Sequence, residues 1–507
     1  MKNINNILPI QIYDIYNDYN EYIKNSNLED YSKEWTIQGW VRDFRAQADN
    51  AFIKIYDGSI SDNLQIVCSR NILDNFDILE NLRGATIEAK GQIIKSPGKG
   101  QLIEMICTSI KSIGLINDKN SIILAKKVQI ETLREYQHLR TRFISFNYIY
   151  KIRSTLLKHI HNFFHSNRFY NLDPNVITTS DCEGAGEIFT ISSLDSNELI
   201  KRAENTIIEH TLNSDKKTNL MSETDIYNTD FFRKQAYLTV SSQLQLESLC
   251  SGLSRVYTLN PSFRAEKSKT KRHLGCFTHL EWEIAFIDIN QLMDFSETLI
   301  KYIISKTLEE CSIEYAELNK FISKGIIEKL NIVIKEPFEK ITYDTAIELI
   351  IQHKKQILQL YSKEMTLEDI PKWGDDLGSY CEKYICDYIY KKPVMVYNYP
   401  KDLKSFYMKL NDDNKTVQSC DVLMNSLGEL IGSSIREDLY DKLIKRMDEK
   451  EMNKSKLDWY IDLRKNSTFA HGGAGLGFDR LVNFCCLMDG NIRDVVPFPV
   501  SYEECKY

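Results

Sequence analysis

The sequence predicts an α+β chain of two bodies: a small β-barrel, then a larger domain built on an antiparallel sheet with flanking helices. Three observations carry this. Short alternating apolar and polar runs recur between Thr36 and Gly114; the period changes to a helical one over 142–169; and strands and helices then alternate to the C-terminus. At 507 residues the chain also exceeds what one ordinary core accommodates.

Residues 1–35 precede the barrel as an N-terminal extension. The barrel occupies 36–114, where "TIQGWVRDF", "AFIKIYDGS", "NLQIVCS" and "ATIEAKGQIIKSPGKGQLIEMICTSI" alternate with period two between Gly and Ser-Pro-Gly turns. A small barrel without a catalytic constellation of its own often binds oligonucleotides on one face. A linker follows at 115–135. The second domain takes 136–507 and opens with the amphipathic helix "RFISFNYIYKIRSTLLKHIHNFFHSNRF". The polar stretch 194–230 reads as a surface insertion and 300–375 as a mainly helical one.

Composition narrows the classes. A formal net charge of -7 argues against a protein that coats DNA non-specifically, so any nucleic-acid contact should be a local basic surface. The 12 cysteines form no CxxC pair and no zinc spacing, so they read as reduced, mostly buried thiols. No apolar run is long enough to span a bilayer, and the N-terminus mixes acids into its opening; both point to a cytoplasmic protein without a membrane partner.

Against that acidic background, "FRAEKSKTKRHLGCF" (263–277) carries five cationic side chains. It reads as strand, basic loop, strand. Arg264 on a strand end is a fixed bidentate clamp for a phosphate, and the loop cations can close over a polyphosphate. In "HGGAGLGFDRLV", Gly473, Gly475 and Gly477 leave a bare backbone surface with Arg480 one turn on. This is not the Rossmann spacing and suits a nucleotide base lying on the sheet. Asp421 in "SCDVLM" and Glu429 in "GELIGSSIRE" are the oxygen ligands that Mg²⁺ takes beside a triphosphate.

Together these stretches resemble the signature motifs of class II aminoacyl-tRNA synthetases, with motif 1 running through the helix to Pro174. "ITTSDCEGAGEIF", "AYLTVSSQLQLESL", "YPKDLKSFYMKLNDD" and "GNIRDVVPFP" look like the asparaginyl family in particular; the resemblance covers about Thr36 to Pro499. It implies an OB-fold anticodon-binding barrel, a class II catalytic domain, ATP and Mg²⁺, L-asparagine and tRNA(Asn) as substrates, and a homodimer formed through motif 1. It implies that Arg264 holds the α-phosphate, Glu266 the adenine amino group and His273 the pyrophosphate. Phe277 and Arg480 sandwich the adenine over Gly477, and Asp421 and Glu429 hold the metal. On the barrel, Phe52 would stack an anticodon base and Gln65 read its middle uracil.

The choice of amino acid rests on the pocket. By the resemblance, Glu183 holds the substrate ammonium, Gln243 lies near it, and Arg436 meets the side-chain oxygen in both the asparagine and the aspartate enzymes. Leu246 stands where aspartate enzymes carry a Lys, which favours the neutral amide. Cys276 stands where the family has a Glu, placed at the bottom of the pocket; a thiol is a poor acceptor, so water or another residue must take the amide NH₂. "GSYCEKY" departs from a family segment with an acid and a His. The alternatives are an enzyme for aspartate or for both amino acids, a non-catalytic RNA-binding paralogue, and an amide-forming ligase on the same domain.

Overall fold

The computed structural model describes residues 7–25, 31–47, 49–73, 82–98, 100–125, 128–180, 187–195, 197–198, 200–201, 227–488 and 490–507. The chain forms two compact units, Met1–Tyr148 and Ile149–Tyr507.

In the first unit, β1 (Lys33–Ala46), β2 (Asn50–Tyr56), β3 (Leu64–Ser69), β4 (Thr86–Lys95) and β5 (Ile103–Gly114) close a barrel in the order β1-β2-β3-β5-β4. All neighbours are antiparallel except β3 and β5. Period-two alternation turns Ile53, Ile55, Leu64, Ile66, Ile87 and Met105 inward. The described part of 1–35 is no appendage. Helix Ile12–Asn25 lays Ile12, Ile15 and Tyr19 into the same core, and Asp57 Oδ2 accepts from the Ile12 amide at 2.6 Å. Residues 136–148 also fall in this unit, where Tyr56 Oη accepts from Arg142 Nε at 3.0 Å.

The second unit is organised by an eight-stranded sheet. Its strands are β6 (Tyr170–Asn171), β10 (Arg255–Phe263), β11 (Cys276–Ala285), β12 (Glu339–Thr342), β13 (Val394–Tyr397), β14 (Ser419–Met424), β15 (Gly428–Ile435) and β16 (His471–Gly477). The order is β12-β13-β14-β15-β16-β11-β10-β6, antiparallel except at the two edge pairs, β12–β13 and β10–β6. The short strands β7 (Ile177–Thr178), β8 (Thr190–Ile191) and β9 (Ala236–Leu238) make a separate three-stranded sheet.

Helices cover one face. Phe164, from helix Ile144–Ser166, stacks on Tyr257 with ring centroids 4.3 Å apart, and Trp282 and Phe295 close the same aromatic cluster. Helix Ile289–Glu310 starts with a capping box, Asp288 with Gln291, as its sequence invites. The opposite face carries the cleft. The 300–375 region supplies helices Ser312–Phe321, Ile326–Lys335 and Tyr343–Leu360, with β12 between the last two. Most of 194–230 lies outside the described residues.

Candidate active site

Two adjoining cavities open over β11, β15 and β16. Arg264, His279, Glu429 and Gly475 line both. The first cavity, about 180 Å³, also gathers Glu266, Arg272, His273, Phe277, Gly477 and Arg480. The second, about 250 Å³, gathers Gln243, Glu281, Glu283, Lys404, Asp421 and Arg436. Phosphate-seeking cations and an aromatic ring thus stand at one end, and buried acids with Arg436 and Lys404 at the other.

Strand geometry sets this division. β11 alternates, so Phe277, His279, Glu281 and Glu283 point into the cleft, while Leu280 and Trp282 enter the core. Arg264 follows the last residue of β10, held by its amide to the Gly275 carbonyl at 3.0 Å, with its guanidinium 5.6 Å from the Phe277 ring centroid. Across the cleft, Arg480 Nη1 donates to the Glu429 carbonyl at 3.2 Å. His273 is fixed by Thr270 Oγ1 at 2.6 Å and Ser268 Oγ at 2.9 Å, and burial lowers its pKa against the pull of Glu266.

The glycines of β16 do more than bare the sheet. A Cβ on Gly475 would lie 2.5 Å from His279 Nε2, and one on Gly473 would collide with the Glu283 carboxyl group. Side chains in the second cavity therefore need these glycines.

At that end Arg436 is fully committed in direction. Its Nε and Nη2 donate to Glu283 Oε1 at 3.1 and 2.5 Å, and its Nη1 donates to Ser434 Oγ at 2.7 Å. Glu283 Oε2 is buried and has no hydrogen-bond partner among the described residues. Burial pushes the Glu283 carboxyl up, to about 7; Arg436 pulls it down and the neighbouring Glu247 carboxylate pushes it up again. Glu247 lies behind the cavity, fully buried. It accepts from Gln243 Nε2 at 3.0 Å, Tyr460 Oη at 2.8 Å and Arg464 Nη2 at 2.8 Å, and His471 Nε2 stands 3.0 Å away.

A second group of acids lies beside Glu429. Asp421 Oδ2 accepts from Lys404 Nζ at 2.6 Å, and Glu382 Oε2 accepts from the Glu429 amide at 3.3 Å. A Cβ on Gly432 would lie 3.1 Å from Glu429 Oε1 and 3.8 Å from Asp421 Oδ1, so both carboxylates border one spot. Burial and mutual repulsion push Glu382 up to about 8, and burial pushes Asp421 up to about 6. Among the described residues no three His, Cys, Asp or Glu side chains meet in a ready-made metal cage. Mg²⁺ seldom uses one, since it shares its shell with waters and phosphate oxygens. Crowded, charge-starved carboxylates fit that ion.

Two sequence expectations move. Cys276 lines neither cavity. It precedes Phe277 on a strand, so it faces the other way, bridged to Val500, and burial raises its thiol pKa. Leu246 lines neither cavity; it is buried against Cys250 and Val256. Glu183 lies outside the described residues. Sequence reasoning passed over His279, Glu281, Glu283, Lys404, Glu247 and Glu382. Strand alternation counted from Phe277 would have found the first three.

On the barrel, Phe52 and Gln65 share the outward face as diagonal neighbours: Phe52 is opposite Val67, and Gln65 opposite Lys54. Gln65 Nε2 donates to Glu104 Oε2 at 3.1 Å, which fixes the amide in place.

Comparison with known proteins agrees with this geometry. Residues 129–502 match the family model for class II tRNA synthetases (D, K and N), and residues 35–113 match the OB-fold nucleic acid binding domain. The chain is 39% identical to an asparagine–tRNA ligase of Colwellia psychrerythraea over 92% of this chain and 94% of that protein. It is also 39% identical to one of Nostoc sp. over 93% and 96%. The structure of asparaginyl-tRNA synthetase from Pyrococcus horikoshii complexed with asparaginyl-adenylate superposes with a TM-score of 0.75 at 29% identity, covering 93% of this chain and 95% of that one. An aspartyl tRNA synthetase from Entamoeba histolytica shares the fold at 19% identity and a TM-score of 0.66.

Proposed function

The chain belongs to the asparaginyl-tRNA synthetases of class II, and from that premise we propose how its residues divide the work. The enzyme activates asparagine with ATP to asparaginyl-adenylate and transfers the amino acid to tRNA(Asn).

In the first step a carboxylate oxygen of asparagine bonds to the α-phosphorus while the bond to the β-phosphate oxygen breaks and pyrophosphate leaves. The carboxylate is already ionised, so no general base is required; position and charge neutralisation carry the rate. Arg264, shared by both cavities, is suited to hold the α-phosphate at the point of attack. Phe277 and Arg480 take the adenine from two sides, with Gly477 below and Glu266 at the ring edge. His273 and Arg272 meet the departing pyrophosphate. Asp421 and Glu429 would hold Mg²⁺, which supplies charge neutralisation on the phosphate oxygens, and Lys404 keeps Asp421 in place. In the second step a terminal ribose hydroxyl of the tRNA attacks the acyl carbon and AMP leaves.

The single observation that carries the amide assignment is the bare Glu283 Oε2 beside a directed Arg436. An asparagine side chain offers an oxygen to Arg436 and NH₂ to Glu283. An aspartate side chain would bring a second carboxylate against the buried Glu283, at a cost of a few kcal/mol. That disfavours the enzyme for both amino acids, and the convergence of Arg264, Glu429 and Arg480 disfavours the non-catalytic paralogue. Phe52 and Gln65 take the anticodon bases. A cytoplasmic homodimer completes the reading; exposed Ile177, Phe232, Leu249 and Trp459 around Pro174 offer an apolar patch for a second copy.

The test is aminoacylation of a tRNA(Asn) transcript by the purified protein with labelled asparagine or labelled aspartate. Charging with asparagine alone supports the reading. Equal charging with aspartate, or none with either, overturns it.

A further inference from the structure

We propose that Arg42, Arg83 and Arg142 of the barrel unit build a phosphate-binding site apart from the catalytic cleft, and that its occupant is a backbone phosphate of the bound RNA. The three side chains line one cavity of about 140 Å³, together with Tyr56 and Gly84. A water molecule occupies about 30 Å³, so the space admits a tetrahedral oxyanion.

The three arginines differ in what already satisfies them. Arg142 is tied down: Nε donates to Tyr56 Oη at 3.0 Å and Nη2 to the Gly84 carbonyl at 2.8 Å. Among the described residues, Arg83 makes one long contact, Nη2 to the Ala125 carbonyl at 3.4 Å. The Arg42 guanidinium lies 4.0 Å from the Tyr56 ring centroid, and its Nη1 is buried with no hydrogen-bond partner among the described residues.

Among the described residues no carboxylate lines the cavity, and none forms an ion pair with any of the three. Burial lowers the Arg42 pKa; Tyr56, then Tyr148 and last Asp62 pull it the other way. A buried guanidinium is normally paired, because desolvating it without a counter-charge is costly. Bracing the chain after the barrel explains Arg142 but not Arg42, whose unused donor and planar fork suit a phosphate.

The anion chemistry stands on this cavity alone, while its assignment to RNA rests on the proposed function. Full-length wild type, Arg42→Gln and Arg42→Lys are compared in three assays. In the first, inorganic phosphate is titrated against thermal stability. Phosphate should raise the wild-type Tm more than that of Arg42→Gln, with Arg42→Lys between them. In the second, tRNA affinity is measured against salt. The slope of log K on log salt should fall by about 1 in Arg42→Gln and recover in Arg42→Lys. If phosphate distinguishes the variants but the slope does not change, the site takes a free phosphate and the RNA assignment is overturned. If neither measurement separates Arg42→Gln from wild type, the site itself is overturned. The third assay, wild-type ATP–pyrophosphate exchange, reports on the synthetase reading independently; its failure would leave the phosphate result standing.

Discussion

Glu283 has one oxygen spent on Arg436 and one, buried, that nothing in the described protein uses, and a buried acceptor left so is costly. Its replacement by Gln removes the charge that steadies Arg436 and part of the acceptor for the amide. Activation of asparagine by Glu283→Gln should fall about 100-fold in kcat/KM, equivalent to ~2.7 kcal/mol, and the preference over aspartate should shrink. The same carboxyl predicts a pH effect. With its pKa pushed up to about 7, it takes a proton as pH falls through that value, so kcat/KM for asparagine should decline from pH 8 to pH 6. Glu247 acts one layer behind: it touches Gln243 directly and stands 3.9 Å from Arg436. Glu247→Gln keeps the shape and removes an anion, so aspartate should gain relative to asparagine. Cys276→Ser, by contrast, should leave kcat/KM for asparagine within about twofold, because Cys276 lines neither cavity.

At the scale of elements, β14, β15 and helix Ser379–Tyr384 bring Asp421, Glu429 and Glu382 together at the cleft. The folded-state pKa values of Glu382 and Asp421 are raised above their unfolded values, so the folded protein holds protons that the unfolded chain has already released. Their contribution to stability therefore falls as pH rises between about 5 and 8. Without Mg²⁺, Glu382→Gln should flatten this part of the Tm–pH curve, and added Mg²⁺ should stabilise the wild type more at pH 8 than at pH 6. Helix Ile12–Asn25 gives a separate test: Ile15 is fully buried in the barrel core, so Ile15→Ala should cost about 2–5 kcal/mol in unfolding of that unit. The sequence made β10 and β11 legible as a strand, a basic loop and a strand, and their apolar alternation is why. Cys276 was placed in the pocket by the family resemblance alone; the two-residue period puts it on the face opposite Phe277, since a slip of one position changes the face. Glu382 and Glu429, 47 positions apart, and Lys404 and Asp421, 17 apart, meet only through the sheet, so no local pattern announced them.

Across the whole molecule, the barrel and the eight-stranded sheet carry separable tasks. Phe52→Ala should weaken tRNA binding by about 1–3 kcal/mol while asparagine-dependent ATP–pyrophosphate exchange stays near wild type. The two-body architecture was readable because its two periods, 2 in the barrel and 3.6 after it, leave clear marks in composition and spacing. The role of the first residues was not, since a short amphipathic helix reveals nothing of the core it will close. The cluster of Arg42, Arg83 and Arg142 was equally hidden, because it assembles from three separate parts of the chain. The most direct measurement of the central claim is ATP–pyrophosphate exchange with asparagine and with aspartate, for wild type and Glu283→Gln. Strong exchange with asparagine alone in the wild type, and a narrowed preference in the variant, is the predicted result. Comparable exchange with aspartate in the wild type, or an unchanged preference in Glu283→Gln, would contradict the assignment of Glu283 and Arg436 as the pair that selects the amide.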